Sequence, residues 1–489
     1  MRKSGVLLPV SSLPSRFGIG SFSREAYEFV DFLEEAGQKL WQLLPLGPTG
    51  YGDSPYQSFS TFAGNPYFID LEELIGKGWL TEEECEAADW GGSLSYVDYE
   101  KMYESRFVLL RRAYRSSGIG QDRDFAEFCR ENGWWLDDYA LYMAIKESQG
   151  GVSFLEWDEP LKRREPAALL RCRSELAEEI GFWQFTQYLF AKQWQALKAY
   201  ANGRGIEIVG DIPIYVALDS ADTWAHPELF CLDGDCVPRA VAGVPPDLFS
   251  DTGQLWGNPL YDWEYHKKTG FEWWIRRIGY SYRLYDIVRV DHFRGFEAYF
   301  AIPYGEETAV NGHWEKGPDY ELFSALKKKL GKKPMIAEDL GVITPPVRRM
   351  IRRCGYPGMK VLQFAFDSKD SEYLPHNYDK NCIVYTGTHD NQTTAGWYQE
   401  CGRSVQRSIR EYLRVRSGSD VPRAMIEAAY ASVADTAVIP VQDWLGLGSE
   451  ARINFPSTLG DNWKWRLTKG QLTAELAGQM RELARIYCR

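Results

Sequence analysis

Short runs of apolar, often β-branched residues recur along the chain, and most of them stop abruptly at a polar or charged residue. Gly5 to Val10 is the first. After the loop Ser11 to Gly20, Phe29, Val30, Leu33 and Ala36 repeat at helical spacing, with Ser23 as N-cap and Gly37 as the stop. Leu40 to Leu46 is the second run, and strand, helix and strand in this order begin a βαβ unit.

The pattern resumes downstream. Ile206 to Val216, Ile287 to Gly295, Met335 to Gly341, Met359 to Phe366, Cys382 to Asp390 and Thr436 to Val441 read as strands, with helices such as Ser324 to Leu330 and Pro346 to Arg353 between them. Eight strands alternating with helices predict an α/β fold, a closed parallel (β/α)8 TIM barrel. Two long segments interrupt it. Residues 48–200 lack strand alternation and read as a mostly helical insertion, and residues 217–270 as a second, loop-rich one. The latter holds the loop 243–258, whose glycines, two prolines and displayed Phe249 and Trp256 suit a segment that closes over a ligand. The whole chain, 1–489, is expected to form one catalytic barrel with a final helix over Leu472 to Tyr487.

Candidate chemistry sits where the strands end. Along Ile287-Val-Arg-Val-Asp-His-Phe-Arg-Gly295, alternation puts Arg289 beside Asp291 on one face and His292 on the other. A guanidinium next to a carboxylate favours the ionised form, which is the form a nucleophile needs. One such pair alone is more readily structural than chemical. Glu338 and Asp390 end two further strands, His389 precedes the second, and Asp211 lies inside a strand where an unpaired carboxylate is costly. In a barrel the C-terminal strand ends share one mouth, so three isolated acids accompanied by Arg289 and His389 make a site. The loop Gly47 to Phe59 follows the second strand and displays Tyr51, Ser54, Tyr56 and Gln57 at the same mouth. Two carboxyl groups about 5 to 5.5 Å apart suit retaining glycoside chemistry, one attacking and the other protonating the departing oxygen.

Composition removes other classes. A chain of 489 residues, 44% hydrophobic and 25% charged, has ample material for a large core. Its formal net charge of -12, with no basic cluster to offset it, argues against a nucleic-acid partner. Eighteen tryptophans and twenty-nine tyrosines supply the aromatic faces on which sugar rings stack. Nine scattered cysteines read as reduced thiols of a cytoplasmic protein, and Cys231 and Cys236 have no second Cys/His pair to complete a zinc site. Six histidines without metal-ligand spacing predict no metal, and no nucleotide fingerprint predicts a cofactor. Neither a secretory signal nor an apolar run of membrane-spanning length is present, so no membrane partner is expected.

Val288-Arg-Val-Asp-His-Phe-Arg-Gly295, Ala337-Glu-Asp-Leu-Gly-Val-Ile-Thr344, Pro357-Gly-Met-Lys-Val-Leu-Gln-Phe-Ala-Phe366 and Tyr385-Thr-Gly-Thr-His-Asp-Asn391 resemble the motifs of the 4-α-glucanotransferases, also called amylomaltases or disproportionating enzymes. The likeness extends from Leu8-Pro-Val-Ser-Ser-Leu-Pro-Ser15 through Gly52-Asp-Ser-Pro-Tyr-Gln57 and the 243–258 loop, which is essentially the whole chain. The resemblance implies transfer of α-1,4-glucan segments between maltooligosaccharides with no cofactor, on a barrel related to the α-amylases but without their C-terminal β-domain. It also implies roles: Asp291 as nucleophile, Glu338 as general acid/base and Asp390 as transition-state stabiliser. Arg289 and His389 would hold the sugar at the cleavage point, Tyr56, Ser54 and Trp256 would bind neighbouring rings, Asp211 would support the site, and Asn454 would add a contact. Gln392 departs from the pattern, standing where many relatives carry a second aspartate. The rival readings are an α-1,4-glucan hydrolase using the same three acids and a catalytically silent sugar-binding barrel. The presence of all three acids disfavours the latter.

Overall fold

The computed structural model describes residues 2–50, 52–246 and 250–489, so Tyr51 and Phe249 lie outside the described residues. Among the described residues twelve strands run in chain order: β1 (Lys3–Leu7), β2 (Leu40–Gln42), β3 (Glu207–Ile212), β4 (Ala240–Val244), β5 (Gln254–Pro259), β6 (Ile287–Val290), β7 (Ala298–Pro303), β8 (His313–Lys316), β9 (Met335–Ala337), β10 (Gly358–Val361), β11 (Cys382–Tyr385) and β12 (Thr436–Pro440). Eight of them form one parallel sheet in the order β10-β11-β12-β1-β2-β3-β6-β9. Its two ends meet. Ala337 N–H donates to Pro357 O at 3.0 Å, and the Asp339 carboxylate accepts from Met359 N–H at 2.7 Å, which closes the TIM barrel across the β9/β10 seam.

Alternation along each strand divides the core in two. Leu7, Leu40, Val209, Ile336, Met359, Ile383 and Val438 fill the barrel interior, while their sequence neighbours, such as Val6, Trp41, Ile208 and Val288, pack outward under the helices. On β3, Gly210 is required by close approach, because a Cβ there would meet the Tyr285 ring at 2.1 Å. This seats Tyr285 against β3 just before β6 begins.

The strands are shorter than the apolar runs. Leu40 to Leu46 yields only Leu40–Gln42, and Cys382 to Asp390 only Cys382–Tyr385. Beyond each strand end the chain turns, so the acids sit on turns rather than on strands. Thus β6 stops at Val290, and His292 takes a left-handed conformation (φ 49°) instead of continuing the alternation.

Between β2 and β3 the described residues form helices, the longest being Tyr99–Ser117, Arg123–Ser148 and Ala177–Gly203. The last runs directly into β3 and packs on the helix Arg24–Glu35, with the rings of Tyr27 and Tyr200 4.8 Å apart. Ser23 precedes Arg24–Glu35 as predicted, although its hydroxyl bonds the Glu25 carboxylate rather than a backbone N–H. The segment 243–258 is not a plain loop. Its ends are β4 and β5, antiparallel partners in a second sheet ordered β5-β4-β7-β8 that the apolar pattern had not indicated, because Pro and Gly mask the alternation. No helix among the described residues is long and apolar enough to cross a membrane.

Candidate active site

The mouth at the C-terminal ends of the barrel strands is organised by a buried arginine. Arg289, 2% exposed, points into the barrel from β6 and lies opposite Asp211 of β3 in register. Its Nη1 bonds both Asp211 oxygens, at 2.7 and 2.6 Å, its Nη2 reaches Asp291 Oδ1 at 3.0 Å, and its Nε rests on Met359 Sδ at 3.4 Å. Burial by itself lowers the Arg289 pKa, but Asp211 and then Asp291 more than offset it and hold it well above the ordinary value. One cation thus holds two carboxylates, of which Asp211 is fully buried and Asp291 keeps 30% of its side chain open to the mouth.

Glu338 follows β9. Its Oε2 accepts the backbone N–H of His292 at 2.7 Å and its Oε1 that of Leu340 at 2.6 Å. Desolvation, followed by the Asp291 charge, raises the Glu338 carboxyl to about 8 against the opposing pull of Arg289 and the two N–H groups. Asp291 rises less, to about 6, because Arg289 counters its desolvation. The two acids are therefore driven apart: within one pair, Asp291 ionises first and Glu338 keeps its proton longer.

Asp390 follows β11. Burial pushes its carboxyl up, but His389, at 3.3 Å from Oδ2, and Asn454, whose Nδ2 donates to Oδ1 at 2.6 Å, outweigh burial and hold it well below the carboxylate range. His389 is raised in turn, since Asp390 outweighs the effect of burial. The Tyr56 hydroxyl donates to Asp211 Oδ2 at 3.0 Å and lies 2.8 Å from His389 Nε2, so the ring nitrogen supplies the proton of that second bond. Tyr56 and His389 stack at 5.4 Å. A continuous chain of contacts, Asn454, Asp390, His389, Tyr56, Asp211, Arg289 and Asp291, thus crosses the mouth.

Trp256 lies on β5. Its ring meets the edge of the His292 ring at 4.8 Å, next to Asp291, and its carbonyl accepts from Gln57 Nε2 at 3.3 Å. Gln57 also bonds Asn258 Oδ1 at 3.1 Å, which joins the Tyr56 loop to the Trp256 hairpin. Ser54 lies two residues before Tyr56 in that loop, half-buried, and its hydroxyl accepts from Tyr56 N–H at 3.3 Å. Gln392 turns away from Asp390: its amide donates to Glu400 at 2.8 Å and accepts from Thr393 N–H.

All ten sequence-selected residues lie in or against this mouth. Residues that sequence reasoning passed over also take part. The backbone N–H groups of His292 and Leu340 hold Glu338, and backbone donors carry no residue-type signal. Arg452 Nη2 donates to the Asp390 carbonyl at 3.1 Å, and Trp463, in a left-handed conformation, packs 5.9 Å from Tyr56 and 6.1 Å from His389. The nearness of Arg452 to Asn454 was the only available hint. No cluster of ligating side chains that would hold a metal ion occurs among the described residues.

A family model described as 4-alpha-glucanotransferase matches residues 8–473. The chain is 50% identical to the 4-alpha-glucanotransferase of Thermus thermophilus over 99% of its own length and 98% of that protein, and 49% identical to that of Clostridium butyricum over 98% and 99%. Among solved structures, the amylomaltase from Streptococcus agalactiae in complex with acarbose superposes with a TM-score of 0.98 at 43% identity, each chain covered in full. The chain belongs to the 4-alpha-glucanotransferase family.

Proposed function

We propose that Asp291, Glu338 and Asp390 divide the work of this α-1,4-glucan transglycosylase among them. Asp291 attacks the anomeric carbon of the donor glucan while Glu338 protonates the departing 4-oxygen, which breaks the glycosidic bond and leaves a covalent β-glucosyl ester on Asp291. Glu338, now ionised, takes the proton from the 4-hydroxyl of glucose or a maltooligosaccharide. That oxygen displaces Asp291, and two inversions retain the α configuration. Asp390, held ionised by His389 and Asn454, offsets the positive charge that develops on the ring.

The observation that carries this reading is the placement of the two acids: Asp291 Oδ1 lies 3.0 Å from Arg289 Nη2, and Glu338, whose carboxyl burial pushes up, is tied at 2.7 Å to the N–H of His292, the residue after Asp291. Arg289 and His389 hold the sugar at the cleavage point, Asp211 braces Arg289, and Asn454 fixes Asp390. Tyr56, Ser54 and Trp256 line the adjoining positions, where a bound acceptor excludes water. A relative solved in complex with acarbose supports binding of a ligand of that kind. The nine cysteines are all free, in keeping with work in the reducing cytoplasm.

Incubation with maltotriose, followed by separation of products by size, tests the reading. Transfer gives free glucose together with a ladder of longer maltooligosaccharides. Shortening to maltose and glucose without a ladder means that water is the acceptor and the protein is a hydrolase.

A further inference from the structure

Two residues past His292, the turn after β6 buries a second arginine that makes none of the contacts of the mouth. Arg294 lies in the short helical turn Phe293–Phe296 and is 7% exposed. Burial lowers its pKa, and Glu297, the carboxylate that opposes this, is itself bonded to Lys316 at 2.8 Å. A buried guanidinium without a carboxylate of its own is costly, so the contacts it does make are informative.

There are two of them. Its Nη1 donates to the Val342 carbonyl at 2.7 Å, and its guanidinium carbon lies over the Trp314 ring, 3.9 Å from the centroid. Trp314, on β8, is braced by Phe300 of β7 at 5.2 Å. The second sheet thus supplies a platform, from which the arginine reaches the loop that carries the acid.

That loop, residues 338–344, is gripped by three successive residues. His292 N–H bonds the Glu338 carboxylate at 2.7 Å, Phe293 N–H bonds the Glu338 carbonyl at 3.1 Å, and Arg294 bonds the Val342 carbonyl. Within the loop, Leu340 N–H returns to Glu338 Oε1 at 2.6 Å, and the Leu340 side chain packs against the apolar residues of the barrel interior. Farther out the ties are few. Gly341 takes a positive φ of 81°, Val342 is 67% exposed, and among the described residues the Arg294 bond is the only hydrogen bond to Gly341, Val342 or Ile343.

We infer that Arg294 is a positioning residue for the acid: standing on Trp314, it latches the outer half of this loop to the turn after β6, which keeps Leu340 against Glu338 and water away from its carboxyl. The inference rests on the role given to Glu338 above. It assigns Arg294 no contact with the sugar.

Two variants test it, assayed on maltotriose across pH with Tm measured alongside. Burial, helped by the Arg294 charge, depresses the His292 pKa to about 3, and Arg294→Lys preserves that charge. One ammonium cannot both lie flat on Trp314 and bond Val342, so the latch is lost. Trp314→Ala removes the platform instead; the ring is 42% exposed on an edge strand, so this variant decides the matter if Arg294→Lys fails to fold. An unlatched loop admits water to Glu338, and because burial is the largest effect that raises this carboxyl, the alkaline limb of activity at about 8 should move to lower pH. Asp291, Arg289 and Tyr373, the groups that act with Glu338, stay in place, so the acid limb should not move. Loss of one hydrogen bond made by a charged group should lower kcat roughly 10-fold, with KM changed less than about twofold. An alkaline limb that stays in place or moves up in a folded variant overturns the proposal, as does a rise in KM alone. If the alkaline limb survives Glu338→Gln, the assignment of the acid has failed, and the inference falls with it.

Discussion

The carboxylate of Glu338 accepts the backbone N–H of His292 at 2.7 Å, and His292 directly follows Asp291. The turn after β6 and the turn after β9 are therefore tied to each other at the point where the proposed nucleophile and acid must be held in register. The left-handed conformation of His292 is what aims that N–H across the barrel.

The opposed ionisation of this pair sets the pH dependence. The proposed mechanism requires Asp291 ionised, which is lost as pH falls through about 6, and Glu338 protonated, which is lost as pH rises through about 8. The profile of kcat/KM on maltotriose is expected to be a bell between these limits, the two values belonging to the pair. Glu338→Gln should abolish the proton-donor function and with it the alkaline limb. An alkaline limb that survives in residual activity would assign it to another group.

Asp291→Asn should lower turnover by on the order of 10³-fold or more, because no nucleophile remains to form the ester. Its effect on folding has the opposite sign. The folded state raises the Asp291 pKa and so binds its proton more tightly than the unfolded chain does; at neutral pH the ionised group costs stability, and a neutral amide of the same size removes that cost. The Tm at pH 7 should not fall. A lower Tm would mean that the Arg289 contact outweighs desolvation.

Asp211→Asn separates support from chemistry. Removing one partner of a buried ion pair should destabilise the fold by about 3 kcal/mol in denaturant titration. Asp211 also pushes the Asp291 pKa up, so without it Arg289 acts on Asp291 alone and the acid limb of the activity profile should move to lower pH. A limb that stays in place, or moves up, would show that the two carboxylates are not linked through Arg289.

Asn454→Ala removes the donor at 2.6 Å from Asp390 Oδ1. A hydrogen bond to a charged group is worth about 1.5 to 3 kcal/mol, so kcat/KM should drop roughly 10- to 100-fold while the fold is retained. If the loss appears only in KM, Asn454 contacts the sugar and does not tune Asp390.

Trp256→Ala opens the side of the mouth next to His292 and Asp291. With less to seat an acceptor and exclude solvent, a larger share of the covalent intermediate should go to water. The ratio of new reducing ends to transfer products from maltotriose measures this directly. An unchanged ratio would place acceptor selection elsewhere.

The sequence alone determined the barrel and the identities of its acids, because strand periodicity and the polar residues that end each run are local properties. It also paired Arg289 with Asp291, which lie two positions apart. Tertiary structure decided everything that depends on residues distant in the chain meeting at one place: the grip of Arg289 on Asp211, the Asn454 to Asp390 bond, the packing of Trp463 on Tyr56, and the second sheet in which the 243–258 segment takes part. It also decided which acid keeps a proton. Asp291, Glu338 and Asp390 look alike in sequence, and only the burial and the neighbours that the closed barrel supplies set them apart.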